Sequence, residues 1–121
     1  MLVVVLSPHM VYSMTEWPRM QAVAEAEGFR VIAWWSPQVS AQEAVQAAER
    51  ASWPMAVVSR VSAVPLECTD WVGAPNHFPY SRVLWQGRTH AWPIWGVLPD
   101  LPWIESLQWR VRALEDAGTS P

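Results

Sequence analysis

The chain holds a single sulfhydryl, Cys68, and three imidazoles, His9, His77 and His90. One thiol cannot close an internal disulfide, complete a four-cysteine zinc site or carry out two-cysteine exchange within this chain. The acidic neighbours Glu67 and Asp70 offer no positive charge to a thiolate. Cys68 therefore reads as a small hydrophobe before it reads as a redox sensor or a mixed-disulfide site. Ser7 or Ser13 with His9 or His77 are the residue types of a serine nucleophile and its base, but no Gly-x-Ser-x-Gly elbow and no third member accompany them. Ser13 has a plainer role, because Ser13-Met14-Thr15-Glu16 has the spacing of a helix-capping box. His90 reads as a surface residue of a hairpin strand.

These side chains must be positioned by the elements around them. Leu2–Leu6 is a continuous apolar run rich in β-branched residues and ended by Ser7-Pro8, the pattern of a strand buried on both faces. Met14, Trp17, Met20, Val23 and Ala24 recur at helical spacing, which predicts a helix over 14–27 stopped by Gly28. A second apolar run over 29–35 ends at Ser36-Pro37, and makes a right-handed βαβ unit with parallel strands. Ser40-Ala41-Gln42-Glu43 repeats the capping box before an alanine-rich helix over 41–52. Beyond Pro54, residues 55–59 are expected as strand and 64–78 as loop. Residues 81–85 and 88–92 alternate around Gln86-Gly87, an antiparallel hairpin. Asp100 starts a last helix whose stripe is Leu101, Ile104, Leu107, Val111 and Leu114, with Gly118 as its stop. The fold class is α/β: a mixed central sheet, a parallel βαβ unit followed by an antiparallel hairpin, flanked by helices. Residues 1–117 form one domain and 118–121 a tail.

Length and composition narrow the functions. A chain of 121 residues, 51% apolar and 16% charged, holds one core. A formal charge of −3, with eight arginines and no lysine, gives no electrostatic footprint for nucleic acid. No apolar run approaches a membrane span. The N-terminal stretch lacks a basic n-region, so the expected location is the cytoplasm. Ten tryptophans must find burial in a core or an interface. Trp17, Trp34 or Trp35, Trp85 and Trp109 fall on core faces. Trp71, Trp92, Trp95 and Trp103 fall in loop and hairpin regions, where a partner surface, including that of a homodimer, competes with ordinary packing.

The element order resembles the thioredoxin-like superfamily, in its thiol–disulfide oxidoreductase branch. Met10-Val11-Tyr12-Ser13 opens a helix after a buried strand, and Pro18 falls five residues beyond this tetrad, where that family carries its kinking proline. Phe78-Pro79-Tyr80 looks like the family's cis-proline loop, Gln86-Gly87 like its hairpin turn and Gly96 like its last conserved glycine. The resemblance covers nearly the whole chain. The first strand and helix of a full thioredoxin are missing, and the stretch from Ser13 to Pro79 is long, as in the peroxiredoxin-like and membrane-anchored thiol oxidoreductase branches. In the chemistry the departure is complete: methionine and serine stand at both cysteine positions of the tetrad, and aligning Ser7-Pro8-His9-Met10 instead loses both thiols as well.

What the resemblance implies is a degenerate, redox-inactive member. Its expected work is to hold a polypeptide partner in the groove beside the cis-proline, in a chaperone, assembly or accessory role, with no cofactor. The expected site is His9, Met10, Val11, Tyr12, Ser13, His77, Phe78, Pro79 and Tyr80, and a cis Phe78-Pro79 bond should lie close to Met10. One alternative is a homo-oligomeric or accessory subunit that uses the tryptophan-rich surface. Another is a copper protein: His9 and His77 with the Met10 thioether have the softness for Cu(I), although no metal motif accompanies them.

Overall fold

The computed structural model describes residues 1–119. Strand β1 (Leu2–Leu6) is buried at every position and lies at the centre of a six-stranded sheet. It pairs in parallel with β2 (Val31–Trp35), Leu2 opposite Val31 and Leu6 opposite Trp35. On its other side it pairs antiparallel with β4 (Tyr80–Trp85), Leu2 opposite Val83 and Val5 opposite Tyr80. Strand β3 (Val61–Ala63) adds in parallel to β2 and forms one edge. Both β5 (Arg88–Thr89) and β6 (Ile94–Trp95) pair antiparallel with β4. The hairpin turn puts Gln86 and Gly87 at φ of 50° and 76°, the paired positive angles that match the right-handed twist of a two-residue turn. The mixed α/β sheet with a parallel unit and an antiparallel hairpin is the architecture expected from the sequence.

Alternation along β1 divides the core. Leu2, Val4 and Leu6 face α1 (Val11–Ala26), α2 (Ala41–Arg50) and α5 (Asp100–Thr119), where Met14, Trp17, Met20, Ala44, Ala48, Trp103 and Leu107 are buried. Val3 and Val5 face the opposite side, under Trp34, Phe78, Tyr80 and Val72 of the short α4 (Thr69–Val72). Two buried tryptophans use their indole N–H groups on this framework. Pro18 lies inside α1 and has no N–H to give the Met14 carbonyl four residues back; Trp53 Nε1 donates there instead. Trp103 Nε1 donates to the Met20 carbonyl at 3.0 Å, which ties α5 to α1.

Several elements differ from expectation. Helix α1 begins at Val11, three residues before the expected start; Met10 is its N-cap residue and makes no side-chain cap bond. Ser13 is therefore inside the helix, and its hydroxyl donates to the Met10 carbonyl at 2.7 Å instead of capping. The second box behaves as expected, with Ser40 Oγ accepting from the Glu43 N–H at 3.2 Å. Residues 55–58, expected as strand, form the helical turn α3 (Met55–Val58), in which the Val57 and Val58 amides close onto the Pro54 carbonyl. An apolar run this short has no period to decide its type. The expected loop contains a 3₁₀ turn at Leu66–Cys68 and then α4. The return strand of the hairpin is cut to Arg88–Thr89, because the chain leaves β4 before Pro93 and comes back at Ile94. Gly118 does not stop α5: it gives room to Arg88, whose guanidinium donates to the Leu114 carbonyl at 3.0 Å. Residues 120 and 121 of the expected tail lie outside the described residues. Among the described residues no helix is long and apolar enough to cross a membrane.

Candidate functional site

The turn between β1 and α1 is held by Ser7, which is buried. Its hydroxyl accepts the His9 N–H at 3.2 Å and its carbonyl accepts the Met10 N–H at 3.3 Å. The Met10 carbonyl then accepts the amides of Ser13 and Met14 in the first turn of α1. This geometry leaves Val11 and Tyr12 standing outward, 73% and 71% exposed. Residues that large at that exposure are unpartnered apolar surface, where a helix start would ordinarily place polar groups.

A second segment, 68 positions further along the chain, meets this turn: the Phe78 N–H donates to Met10 Sδ at 3.2 Å. The Phe78-Pro79 bond is cis, and the Pro79 carbonyl accepts the Gly96 N–H at 2.9 Å, anchoring the loop to the end of β6. His77 packs on Gly96 so closely that an added Cβ would lie 2.9 Å from its Nε2, and the glycine itself has φ of 84°. Both the positive angle and the missing side chain are needed there.

His9, Met10, Val11, Tyr12, Ser13, His77, Phe78 and Val97 line one cleft of about 380 Å³. Val97 was not among the expected residues, since nothing in its type or spacing marks it; it arrives at the cleft because Gly96 turns the chain there. Pro79 and Tyr80, expected to line the groove, are buried instead and form its support. The Tyr80 ring packs on Trp95 with centroids 4.8 Å apart, in the core that holds Val3 and Val5. The alternation of β4 sends Tyr80 inward.

The cleft shares Tyr12 and Val97 with a second cleft of about 450 Å³, whose other walls are Glu16, Arg19, Pro99 and Asp100. Arg19 donates through Nε to Glu16 at 3.1 Å, through Nη1 to Asp100 and through Nη2 to the Leu98 carbonyl at 2.9 Å. A third cleft, of about 310 Å³, lies between Phe29, Trp85 and Val111 and holds none of the expected residues.

The chemistry open to this arrangement is limited. Met10 cannot ionise, and the Ser13 hydroxyl is committed to the helix backbone. Ser7 Oγ likewise serves a backbone amide. His9 Nε2 lies 3.4 Å from Glu43 Oε2 at an exposed position. Hydrogen bonds from His9 and then Ser40 hold the Glu43 carboxyl below the usual carboxylate range. The three residues weighed for copper are thus each engaged: His9 toward Glu43, Met10 as an acceptor for Phe78, and His77 against Gly96. Among the described residues no group of three or more His, Cys, Asp or Glu side chains is placed to hold a metal. Cys68 is a free thiol, half-buried at the edge of the Val3 and Val5 core.

The tryptophans divide differently from expectation. Trp103, for which a partner surface and ordinary packing were both open, is fully buried, while Trp109, expected in the core, is 43% exposed. Trp109 lies beside Trp92, 66% exposed, with ring centroids 6.0 Å apart. No family model, no curated protein and no solved structure matches the chain.

Proposed function

We propose that this chain is a redox-inactive thioredoxin-like protein that binds an extended polypeptide segment in the cleft between the start of α1 and the His77–Phe78 loop. The observation that carries the reading is the contact between Met10 and Phe78, which joins two distant segments beneath an open apolar surface. The order β3-β2-β1-β4-β5 is compatible with a thioredoxin-like arrangement, and Phe78-Pro79 is cis, as the resemblance requires. Dithiol exchange needs two sulfurs that can ionise, and this chain supplies one. Shape and apolar contact at Val11, Tyr12 and Val97 then do the work, with the backbone of the bound segment extended along the cleft. The role is one of holding or assembly, without covalent chemistry.

A peptide array probed with the purified protein tests this. Binding should concentrate on segments with exposed apolar residues, and Tyr12→Ala or Val11→Asp should abolish it while circular dichroism stays unchanged. An array without signal, or variants that bind as the wild type does, overturns the reading.

A second reading has its own observation. Trp92 and Trp109, with the His90 ring 5.1 Å from Trp109, form an exposed aromatic surface suited to an interface between chains. Light scattering over a concentration series on wild type and Trp92→Ser decides it: mass that rises with concentration in the wild type alone supports self-assembly.

A further inference from the structure

We infer that the peptide groove continues past Tyr12 and Val97 and selects, in an extended polypeptide, a basic side chain about three residues from the apolar one seated at Met10. The inference rests on the peptide-binding reading above and names the class of segment that site takes. Tyr12 and Val97 wall both clefts, so a chain lying against one meets the other without leaving the surface. The two halves differ in chemistry: Met10, Val11 and Phe78 at the near end, and Glu16, Asp100 and Arg19 at the far end.

Charge decides what the far end accepts. Arg19 directs its donors inward, to Glu16 Oε2, Asp100 Oδ1 and the Leu98 carbonyl. It is a strut between α1 and the start of α5, with three of its five N–H donors committed there. Each carboxylate uses only one oxygen in those bonds and keeps acceptor capacity on the other. Asp100 is 59% exposed at its side chain. Two carboxylates against one guanidinium leave an excess of one negative charge facing the cleft. A cationic side chain meets attraction at the far end, whereas an acidic one meets repulsion.

Helix geometry sets the spacing. Met10 and Glu16, the carboxylate on α1, are six residues apart, a rise of about 9 Å at about 1.5 Å per residue. An extended chain rises about 3.3 Å per residue, so about three residues cover the same distance.

Fluorescence anisotropy with labelled extended peptides tests this on the full chain. The probes carry Leu and Arg three positions apart, in both chain directions, with controls in which Arg is replaced by Gln or Glu or moved next to Leu. The protein is compared with Glu16→Gln/Asp100→Asn, checked for folding by circular dichroism, and with Asp100→Asn alone if the pair does not fold. In one direction the spaced Leu–Arg peptide should bind about twofold to fivefold more tightly than its Gln control, the size of an exposed ion pair. That advantage should fall with added salt and vanish in the variant, while the Gln peptide binds both proteins equally. If the Arg and Gln peptides bind alike, or the advantage survives in the variant, the inference fails and the peptide-binding reading stands. If no peptide binds the wild type, that reading fails and takes the inference with it.

Discussion

The Phe78 amide donates its hydrogen to the Met10 sulfur across 3.2 Å, so a thioether closes the junction between the start of α1 and the loop before β4. Sulfur is a weak acceptor with a large, polarisable surface, and here it serves as filler and partner at once. Replacement by leucine keeps the volume and removes the acceptor. Met10→Leu should cost about 0.5–1.5 kcal/mol in urea unfolding, the net worth of one part-buried hydrogen bond. A loss near zero would show that the contact is packing alone.

Gly96 supports the same cleft from the other side. Alanine there meets the His77 ring at 2.9 Å and must also hold φ of 84°. Gly96→Ala should lower stability by about 1–3 kcal/mol and displace His77, seen as a fall in Tm together with a shifted His77 ring resonance. An unchanged Tm and an unmoved ring would contradict the described packing.

Trp53 and Pro18 form a coupled pair through the Met14 carbonyl. Removing the indole N–H leaves that buried carbonyl short of a partner, so Trp53→Phe should cost about 1–3 kcal/mol. In a Pro18→Ala background the helix can supply its own N–H, and the same substitution should cost less. Additive losses in the double-mutant cycle would mean that the indole does not substitute for the missing amide.

Much of this arrangement was legible in the sequence. The buried run Leu2–Leu6, the parallel β2 and the turn at Gln86-Gly87 follow from continuous apolar runs, the helix between them and turn chemistry. The meeting of Met10 with Phe78 came from the resemblance and not from periodicity. The misreadings have local causes. Ser13 fits a capping box as well as Ser40 does, but Met10 starts the helix a turn earlier and turns the Ser13 hydroxyl back on the backbone. Residues 55–58 are too few to show a period. Tyr80 was expected to line the groove from the resemblance, yet the alternation of β4 turns it into the core with Val3 and Val5. Val97 carries no signal in its type; only the turn at Gly96 brings it to the cleft.

The two serines offer a direct check. Ser40→Ala removes a true cap and should cost about 1 kcal/mol. Ser13→Ala removes a donor to a carbonyl that also accepts the Ser13 and Met14 amides, so its cost should be smaller. Urea unfolding of both variants measures the difference, and a larger loss for Ser13 would restore it as the cap.

Acid should weaken one surface tie. A hydrogen bond from Arg60, at 2.7 Å, holds the Glu25 carboxyl below its ordinary range. A carboxyl lowered in the folded state stabilises it above the unfolded pKa, and that contribution disappears as the pH falls through the folded one. Because the pair is largely in solvent, its worth should stay under about 1 kcal/mol. Wild type and Arg60→Gln should differ by this amount at neutral pH and converge in acid. A gap that widens as the pH falls would reverse the sign.

The most direct test of the central claim is amide shift mapping by NMR with a peptide selected from the array. Binding in the groove predicts shifts centred on residues 9–13, 77–78 and 97, reaching Glu16, Arg19 and Asp100 when the bound segment carries the spaced basic residue, with the Trp92 and Trp109 indole signals unmoved. Shifts centred on Trp92 and Trp109, with the residues around Met10 silent, would contradict it.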